Sequence, residues 1–137
     1  MAGACFAAGG WPVRIRDPSG PQRDAADKYI EQNIGAFTAL TGRNPGTWEA
    51  VEDFAAAVKD AWLVIEAVPE KLEIKLSTFA DLDVHAPRDC ILASNSSSFK
   101  SSELVVRMSE SGKTRVLNTH FMVEHLTQRS HSIGSKC

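Results

Sequence analysis

The sequence lacks the features that mark membrane, secreted and nucleic-acid-binding proteins. No apolar run approaches the ~20 residues that a membrane-spanning helix needs. The net charge is -2 and the basic residues are scattered, which argues against nucleic acid as the main partner. The three cysteines, Cys5, Cys90 and Cys137, are odd in number and widely spaced, so they indicate neither a disulfide framework nor a metal cluster.

Clear targeting and metal-binding signals are also missing. Residues 1–10 are small and apolar without a basic start, which argues against a secretory signal. The final Ser-Lys-Cys only approximates the peroxisomal tripeptide Ser-Lys-Leu. The four histidines show no ligand spacing with cysteines or acids, so we predict no metal site. We expect an intracellular protein, cytoplasmic by default, with a mitochondrial or peroxisomal location left open.

The segment 60–98 indicates the fold. Two short apolar runs, 61–67 and 91–94, are rich in branched residues and too short for buried helices, so each predicts a buried parallel strand. Between them, apolar residues recur at helical spacing among charged ones. Strand, helix and strand form a βαβ unit, and open α/β sheets bind ligands beyond the carboxyl ends of their strands.

The rest of the chain continues this alternation. Its length is that of one domain, and we predict an α/β, doubly wound Rossmann-like parallel sheet that lacks its first strand and glycine-rich loop. Residues 1–122 are expected to form this incomplete domain and 123–137, polar and aperiodic, an irregular tail. The predicted elements are a helix 3–8, a strand 11–16, helices 21–40 and 49–58, a strand 61–67, a helix 69–82, a strand 91–94, a helix 101–108, a turn 109–113 and a strand 114–119.

Three motifs resemble a known family. VIEAVPEKLEIK, ILASNSSS and RVLNTHF look like the NAD-binding domain of 3-hydroxyacyl-CoA dehydrogenases, in the order and at the spacing of that family. The resemblance extends from about Cys5 to about Met122. It implies NAD as cofactor and either an acyl-CoA or a small 3-hydroxy acid as substrate, with neither nucleic acid nor membrane as partner.

The resemblance also implies four cofactor-binding residues. Asp17 ends a strand where dinucleotide folds place an acid that accepts hydrogen bonds from the adenine ribose, although an aspartate before proline also forms turns. Glu70 and Lys75 match residues near the nicotinamide half of NAD, but the sequence alone favours an exposed first helical turn. Asn95 follows the 91–94 strand on the cofactor side.

Two further residues match catalytic positions. Ser97 matches the active-site serine, whose hydroxyl would face the 3-oxygen of the substrate and the nicotinamide; alternatively, the polar residues 95–98 turn the chain and cap the next helix. His120 matches the catalytic histidine, which would take the 3-hydroxyl proton while hydride leaves C3 for NAD. A lone histidine at a strand end is otherwise more often structural.

The chain departs from the family pattern at both ends. No G-x-G-x-x-G motif lies ~20 residues before Asp17, where a dinucleotide fold needs it. Ser132 stands where the family has the glutamate that orients the histidine, and Glu124 is a doubtful substitute. We also expect the helical C-terminal domain of the family to be absent. We therefore expect a truncated copy with exposed sheet edges beside the absent first strand.

Two functions stay open. The first is NAD-dependent oxidation of a 3-hydroxyacyl-CoA, or a related 3-hydroxy acid, to the 3-keto compound, with the activity of this chain itself in question. The second is a non-catalytic truncated module that interacts through its open sheet edges, either as a homo-oligomer or with a full-length relative.

Overall fold

The computed structural model describes residues 2–119 and shows parallel strands that alternate with helices. The predicted tail, 123–137, lies outside the described residues. The elements in chain order are α1 (Ala2–Ala8), β1 (Val13–Arg16), α2 (Gly20–Thr41), β2 (Trp48–Val51), α3 (Phe54–Val58), β3 (Leu63–Glu66), α4 (Leu72–His85), β4 (Ile91–Ser94), α5 (Ser101–Leu104), α6 (Glu110–Lys113) and β5 (Val116–Asn118).

The strands form two parallel sheets. β1 pairs with β2, and β4 lies between β3 and β5. A complete doubly wound sheet has the strand order 3-2-1-4-5-6. The two observed sheets reproduce this order on either side of its central first strand, and no described strand lies between β1 and β3. The predicted fold class, a Rossmann-like parallel sheet lacking its first strand, is confirmed.

The facing edges of β1 and β3 carry apolar side chains that are only half-buried. Ile15 in β1 and Leu63 and Ile65 in β3 are of intermediate exposure, whereas Leu92 in the middle strand β4 is fully buried. In a parallel pair each residue directs its N–H and C=O to one neighbour. Because Val64 and Glu66 face β4, Leu63 and Ile65 direct their backbone groups to the edge that no described strand covers.

Side chains connect the two sheets near the amino ends of the strands. The Arg14 guanidinium pairs with the Asp60 carboxylate just before β3. The rings of Trp11 and Trp62 lie 5.3 Å apart between centroids. These contacts hold the sheets side by side without a backbone ladder between them.

Strand β2 replaces the beginning of the predicted helix 49–58. Trp48 pairs in register with Val13 of β1. The helix α3 begins later, because the Asp53 carboxylate caps it by accepting a hydrogen bond of 2.6 Å from the Ala56 N–H. The prediction of a longer helix was wrong because local apolar spacing does not report pairing with a distant strand.

The segment after β4 also differs from its prediction. A helix over 101–108 and a turn over 109–113 were expected, but α5 ends at Leu104 and 109–113 contains the single-turn helix α6. The Ser109 hydroxyl caps α6 by accepting a hydrogen bond of 3.1 Å from the Gly112 N–H. Ser109 was predicted to form a turn and instead caps a helix. Serine favours both positions, because its hydroxyl bonds to nearby backbone groups in either.

The core lies between the three-stranded sheet and the helices that cover it. Phe79 and Leu82 of α4 pack in one cluster with Leu92 of β4, which explains the apolar spacing of the helix. No helix within residues 2–119 is long and apolar enough to cross a membrane. The buried members of the cluster are Ala57, Val58, Phe79, Leu82, Ala86, Cys90, Leu92, Leu104 and Met108.

Candidate functional site at the carboxyl edge of the sheet

The loops after β3 and β4 lie side by side over a buried carboxylate. Glu66 and Ser94 end the two strands in register, and both are buried. The Ser94 hydroxyl donates to Glu66 Oε2 at 2.8 Å, and the Asn95 N–H donates to the Glu66 carbonyl oxygen at 2.9 Å. Parallel pairing thus fixes this carboxylate directly beneath both loops.

Lys75 reaches the same carboxylate from the first turns of α4. Its ammonium lies 2.8 Å from Glu66 Oε1 and 3.1 Å from Glu70 Oε2. Lys75 is 1% exposed and Glu66 3% exposed, so water hardly screens their attraction. Two carboxylates therefore lie against one ammonium. The interpretation of an exposed helical turn is therefore wrong for Lys75.

Glu70 joins the two loops. Its Oε1 accepts a short hydrogen bond from the Ser96 hydroxyl and one of 3.0 Å from the Ser98 N–H. The Ser96 hydroxyl in turn accepts from the Phe99 N–H at 3.1 Å. The Ser96 hydrogen bond, followed by that of the Lys75 ammonium, lowers the pKa of Glu70 to about 2 despite the opposing effect of desolvation. The ionised carboxylate holds the loop after β4 against the loop after β3.

We expect this contact to make stability depend on pH in the acid range. A carboxylate with a lowered pKa stabilises the folded state above its unfolded pKa, and that contribution is lost as the pH falls toward the folded pKa. For Glu70 the window runs from 4.5 down to about 2. Urea unfolding across this window should show a shallower fall in the free energy of unfolding for Ser96→Ala than for the wild type. The exposed Ser102→Ala is the control, and equal slopes for Ser96→Ala and the wild type would contradict the expectation.

Ser97 lies at the tip of the loop that Glu70 holds. Its neighbour Ser96 is buried, whereas Ser97 is exposed, and its hydroxyl bonds to no other residue in the described part of the chain. Asn95, at the base of the loop, is half-buried. The serine predicted to contact substrate thus faces solvent, while the adjacent serine supports the loop.

His120 lies outside the described residues. Thr119, which directly precedes it, follows the last residue of β5 and lies beside β4. The Thr119 N–H donates to the Ser94 carbonyl oxygen at 2.8 Å, and its hydroxyl donates to the same oxygen at 3.3 Å. The carboxyl end of β5 therefore meets the same sheet edge as the loop that carries Ser97.

Asp17 lies at the carboxyl end of β1, in the two-stranded sheet. Its Oδ1 accepts a hydrogen bond of 2.8 Å from the Ser19 N–H, which is the turn-forming role left open by the sequence. The Arg23 guanidinium donates to the Asp17 carbonyl oxygen at 2.7 Å. The structure thus brings Glu70 and Lys75 into one cluster but leaves Asp17 apart from it, on the other sheet.

Sequence reasoning missed three residues that support the site: Glu66, Ser94 and Ser96. One signal was visible, since Glu66 is a charged residue inside the apolar run VIEAV. A charge in a buried strand requires a partner, because an unpaired one is very costly to bury. Lys75, on the helix that follows, is that partner. No comparable signal distinguishes the buried serines from the exposed one.

This fold and site define a dinucleotide-binding domain of the dehydrogenase class. The chain matches the family model described as "3-hydroxyacyl-CoA dehydrogenase, NAD binding domain" over residues 2–127. The chain therefore belongs to the 3-hydroxyacyl-CoA dehydrogenase family through its NAD-binding domain. The resemblance predicted from three motifs is confirmed.

Individual relatives and solved structures agree with this assignment. A 3-hydroxyacyl-CoA dehydrogenase of Gibberella moniliformis is 34% identical over 128 residues, covering 88% of this chain and 38% of that protein. An L-carnitine dehydrogenase of Mesorhizobium japonicum is 29% identical, covering 83% and 33%. The structure of 5-formyl-3-hydroxy-2-methylpyridine 4-carboxylic acid 5-dehydrogenase, an NAD+-dependent dismutase, matches with a TM-score of 0.78 at 27% identity, covering 88% and 40%. The chain spans two-fifths or less of each of these proteins.

NAD is the cofactor of this family. Asp17 would hold the adenine ribose through Oδ2, because among the described contacts only Oδ1 is used in the turn. The loops held together by Glu70 would hold the nicotinamide half with their polar groups. Residues 2–119 contain no strand followed by a glycine-rich turn and a helix, the arrangement that binds a pyrophosphate.

Proposed function

We propose that this chain acts in the NAD-dependent oxidation of a 3-hydroxyacyl-CoA, or a related 3-hydroxy acid, to the 3-keto compound. The observation that carries the proposal is the clamp formed by Glu66, Lys75 and Glu70. It fixes the loop of Ser97 at the sheet edge where β5 ends, two residues before His120 in the sequence. The substrates named for the relatives, an acyl-CoA and L-carnitine, share a 3-hydroxyl group and give the candidate substrates.

The roles proposed for the residues follow from this placement. NAD, when bound, supplies the acceptor for the hydride that leaves C3. Ser97 orients the substrate by hydrogen bonding its 3-oxygen, since the Ser97 hydroxyl is exposed and bonds to no other residue within 2–119. His120 takes the proton of the 3-hydroxyl group, which suits an imidazole because its pKa lies near neutral pH. Glu70 and Lys75 position the two loops around the nicotinamide half.

The proposal is tested on the 137-residue chain. Calorimetry with NAD+ measures binding, and the absorbance of NADH measures turnover with 3-hydroxybutyryl-CoA or L-carnitine as substrate. Binding with turnover of either substrate would support the proposal. Binding without turnover would restrict the chain to cofactor binding, and absence of both would contradict the proposal.

Ser97→Ala is expected to lower kcat/KM by about 100-fold, because loss of one positioned donor to a reacting oxygen costs that order in rate. Folding should be unaffected, since the Ser97 hydroxyl makes no bond to another described residue. Ser102→Ala, an equally small change at an exposed position of α5, is the matched control. Turnover of Ser97→Ala equal to that of the control would remove Ser97 from the proposed mechanism.

A second function is favoured by the edges of β1 and β3 that no described strand covers. The backbone groups of Leu63 and Ile65 face no described strand, and such an edge is a template for pairing with another chain. On this basis the chain would be a non-catalytic module that pairs with a second copy of itself. Light scattering measures the oligomeric state, and calorimetry measures NAD binding. A stable dimer without NAD binding favours the module, and a monomer that binds NAD excludes it.

A further inference from the structure

Charged side chains gather where β1 and β2 end, at the part of the fold that would hold the adenine ribose. Asp17 follows β1, Glu52 follows β2, and Arg23 lies in the first turns of α2. The Asp17 N–H donates to the Val51 carbonyl oxygen at 3.3 Å, so the two strand ends stay together. Parallel pairing therefore brings Glu52 next to the acid that the fold uses for the ribose.

Arg23 is held in place by both strand ends. One terminal nitrogen donates to the Asp17 carbonyl oxygen at 2.7 Å, and the other donates to Glu52 Oε2 at 2.8 Å. The Arg23 side chain is 20% exposed and that of Glu52 71% exposed. Arg16 adds a hydrogen bond of 3.1 Å to the Glu52 carbonyl oxygen. The guanidinium is thus bound to a carboxylate within the ribose region.

The chemistry of Arg23 suits a phosphate group as well as it suits a carboxylate. A guanidinium presents parallel donors that match the oxygens of either group. In dinucleotide folds, an arginine near the ribose acid is the residue that accommodates the 2′-phosphate of NADP. Arg23 is such an arginine. One of its terminal nitrogens already donates to the Glu52 carboxylate, so it is not available to donate to a phosphate.

We propose that Glu52 is a specificity-determining residue that selects NAD over NADP, an inference that rests on the proposed NAD-dependent function. Glu52 acts in two ways. It engages the guanidinium of Arg23, and its own charge repels a second anion at the same position. Asp17 then accepts hydrogen bonds from the ribose hydroxyls of NAD. Selection against NADP depends on Glu52, because Arg23 would otherwise attract the 2′-phosphate.

The test compares two ligands that differ only in this phosphate, ADP-ribose and 2′-phospho-ADP-ribose, by calorimetry with the 137-residue chain. Glu52→Gln is expected to shift the ratio of dissociation constants by about fivefold to tenfold toward the phosphorylated ligand, the range for an exposed charge-assisted contact. The control is Glu49→Gln. Glu49 lies within β2, three residues before Glu52, is 62% exposed and pairs with Arg14, so its loss changes the net charge equally.

The outcomes separate this inference from the proposed function. A shift in Glu52→Gln without a shift in Glu49→Gln supports the inference. Binding of ADP-ribose with an unchanged ratio in Glu52→Gln, or an equal shift in both variants, overturns the inference and leaves the proposed function standing. If the wild-type chain binds neither ligand, the proposed function is overturned and the inference with it. Glu52→Gln combined with Arg23→Gln should lose the shift again.

Discussion

Replacing Glu66 with leucine is expected to lower the free energy of unfolding by about 3–5 kcal/mol, the cost of removing one partner of a buried ion pair. The change removes the carboxylate that lies 2.8 Å from the Lys75 ammonium, and Lys75 is 1% exposed. The Ser94 hydroxyl and the Val68 N–H lose their acceptor at the same time. The penalty therefore comes from two donors left without this acceptor and from an ammonium left with Glu70 alone of its two carboxylates, in a place that water hardly reaches.

Urea unfolding followed by circular dichroism measures this loss. Adding Lys75→Met to Glu66→Leu is expected to recover a large part of it, because apolar pairs often replace buried ion pairs at little cost. The control is Glu73→Leu, which breaks an exposed ion pair. The side chain of Glu73 is 76% exposed and that of its partner Arg107 is 48% exposed. Loss of this pair should lower the free energy of unfolding by less than about 1 kcal/mol. If Glu66→Leu lowers the free energy of unfolding no more than this control does, the buried ion pair of Glu66 and Lys75 does not stabilise the fold as expected.

The double variant also separates folding from function. The loop of Ser97 is held by Glu70, and Glu70 is held in part by the Lys75 ammonium. A chain with Glu66→Leu and Lys75→Met would regain its stability but not this ammonium. We therefore expect its affinity for NAD to stay below that of the wild type even after its stability recovers. That result would mean that the Lys75 ammonium is needed for NAD binding and that an apolar side chain can replace it in stabilising the fold.

The βαβ unit could be predicted from the sequence because its signals are local. The runs 61–67 and 91–94 are apolar and branched, and the segment between them has helical spacing, so both strands and α4 were found. Strand β2 was missed because Trp48–Val51 is short, half-exposed and followed by alanines. Its structure comes from pairing with β1 across the whole of α2, and no local pattern reports such a partner.

The site was predictable in its residue types but not in its burial. Motif matching located Glu70 and Lys75, yet the sequence alone favoured an exposed helical turn for both. Only the fold shows that Lys75 turns inward to Glu66 while Glu70 stays half-exposed at the surface. A lysine side chain is long enough to reach either environment, and the choice depends on a carboxylate that pairing of β3 with β4 places beneath it.

The loop between α2 and β2 gives a second large effect on stability. Gly46 packs against the backbone of Gly10 and Trp11, and its N–H donates to the Ala7 carbonyl oxygen at 2.7 Å. A methyl carbon at Gly46 would lie 2.5 Å from the Trp11 carbonyl carbon and 2.8 Å from that of Gly10. Both neighbours are backbone atoms, so no side-chain rotation can relieve the overlap and one of the two loops must move.

Gly46→Ala is expected to lower the free energy of unfolding by about 3 kcal/mol, at the upper end of the range for overpacking. Gly35→Ala is the matched control. Gly35 lies within α2, where an added methyl carbon would meet no neighbouring group within 4 Å, so the same substitution should stabilise the protein by about 0.5–1 kcal/mol through helix propensity. Urea unfolding measures both changes in the free energy of unfolding. A decrease for Gly46→Ala with an increase for Gly35→Ala would confirm the close approach, and no change for Gly46→Ala would contradict it.

The consequence of this contact extends to the cofactor region. The loop of Gly46 leads directly into β2, where the Val13 N–H donates to the Thr47 carbonyl oxygen at 2.9 Å and sets the register of β1 against β2. The same register places Glu52 beside Asp17 at the other end of the strands. A displaced loop should therefore weaken the preference for ADP-ribose over its 2′-phosphate as well as the fold. Glycine at this position keeps the strand pair, and with it the proposed ribose region, in place.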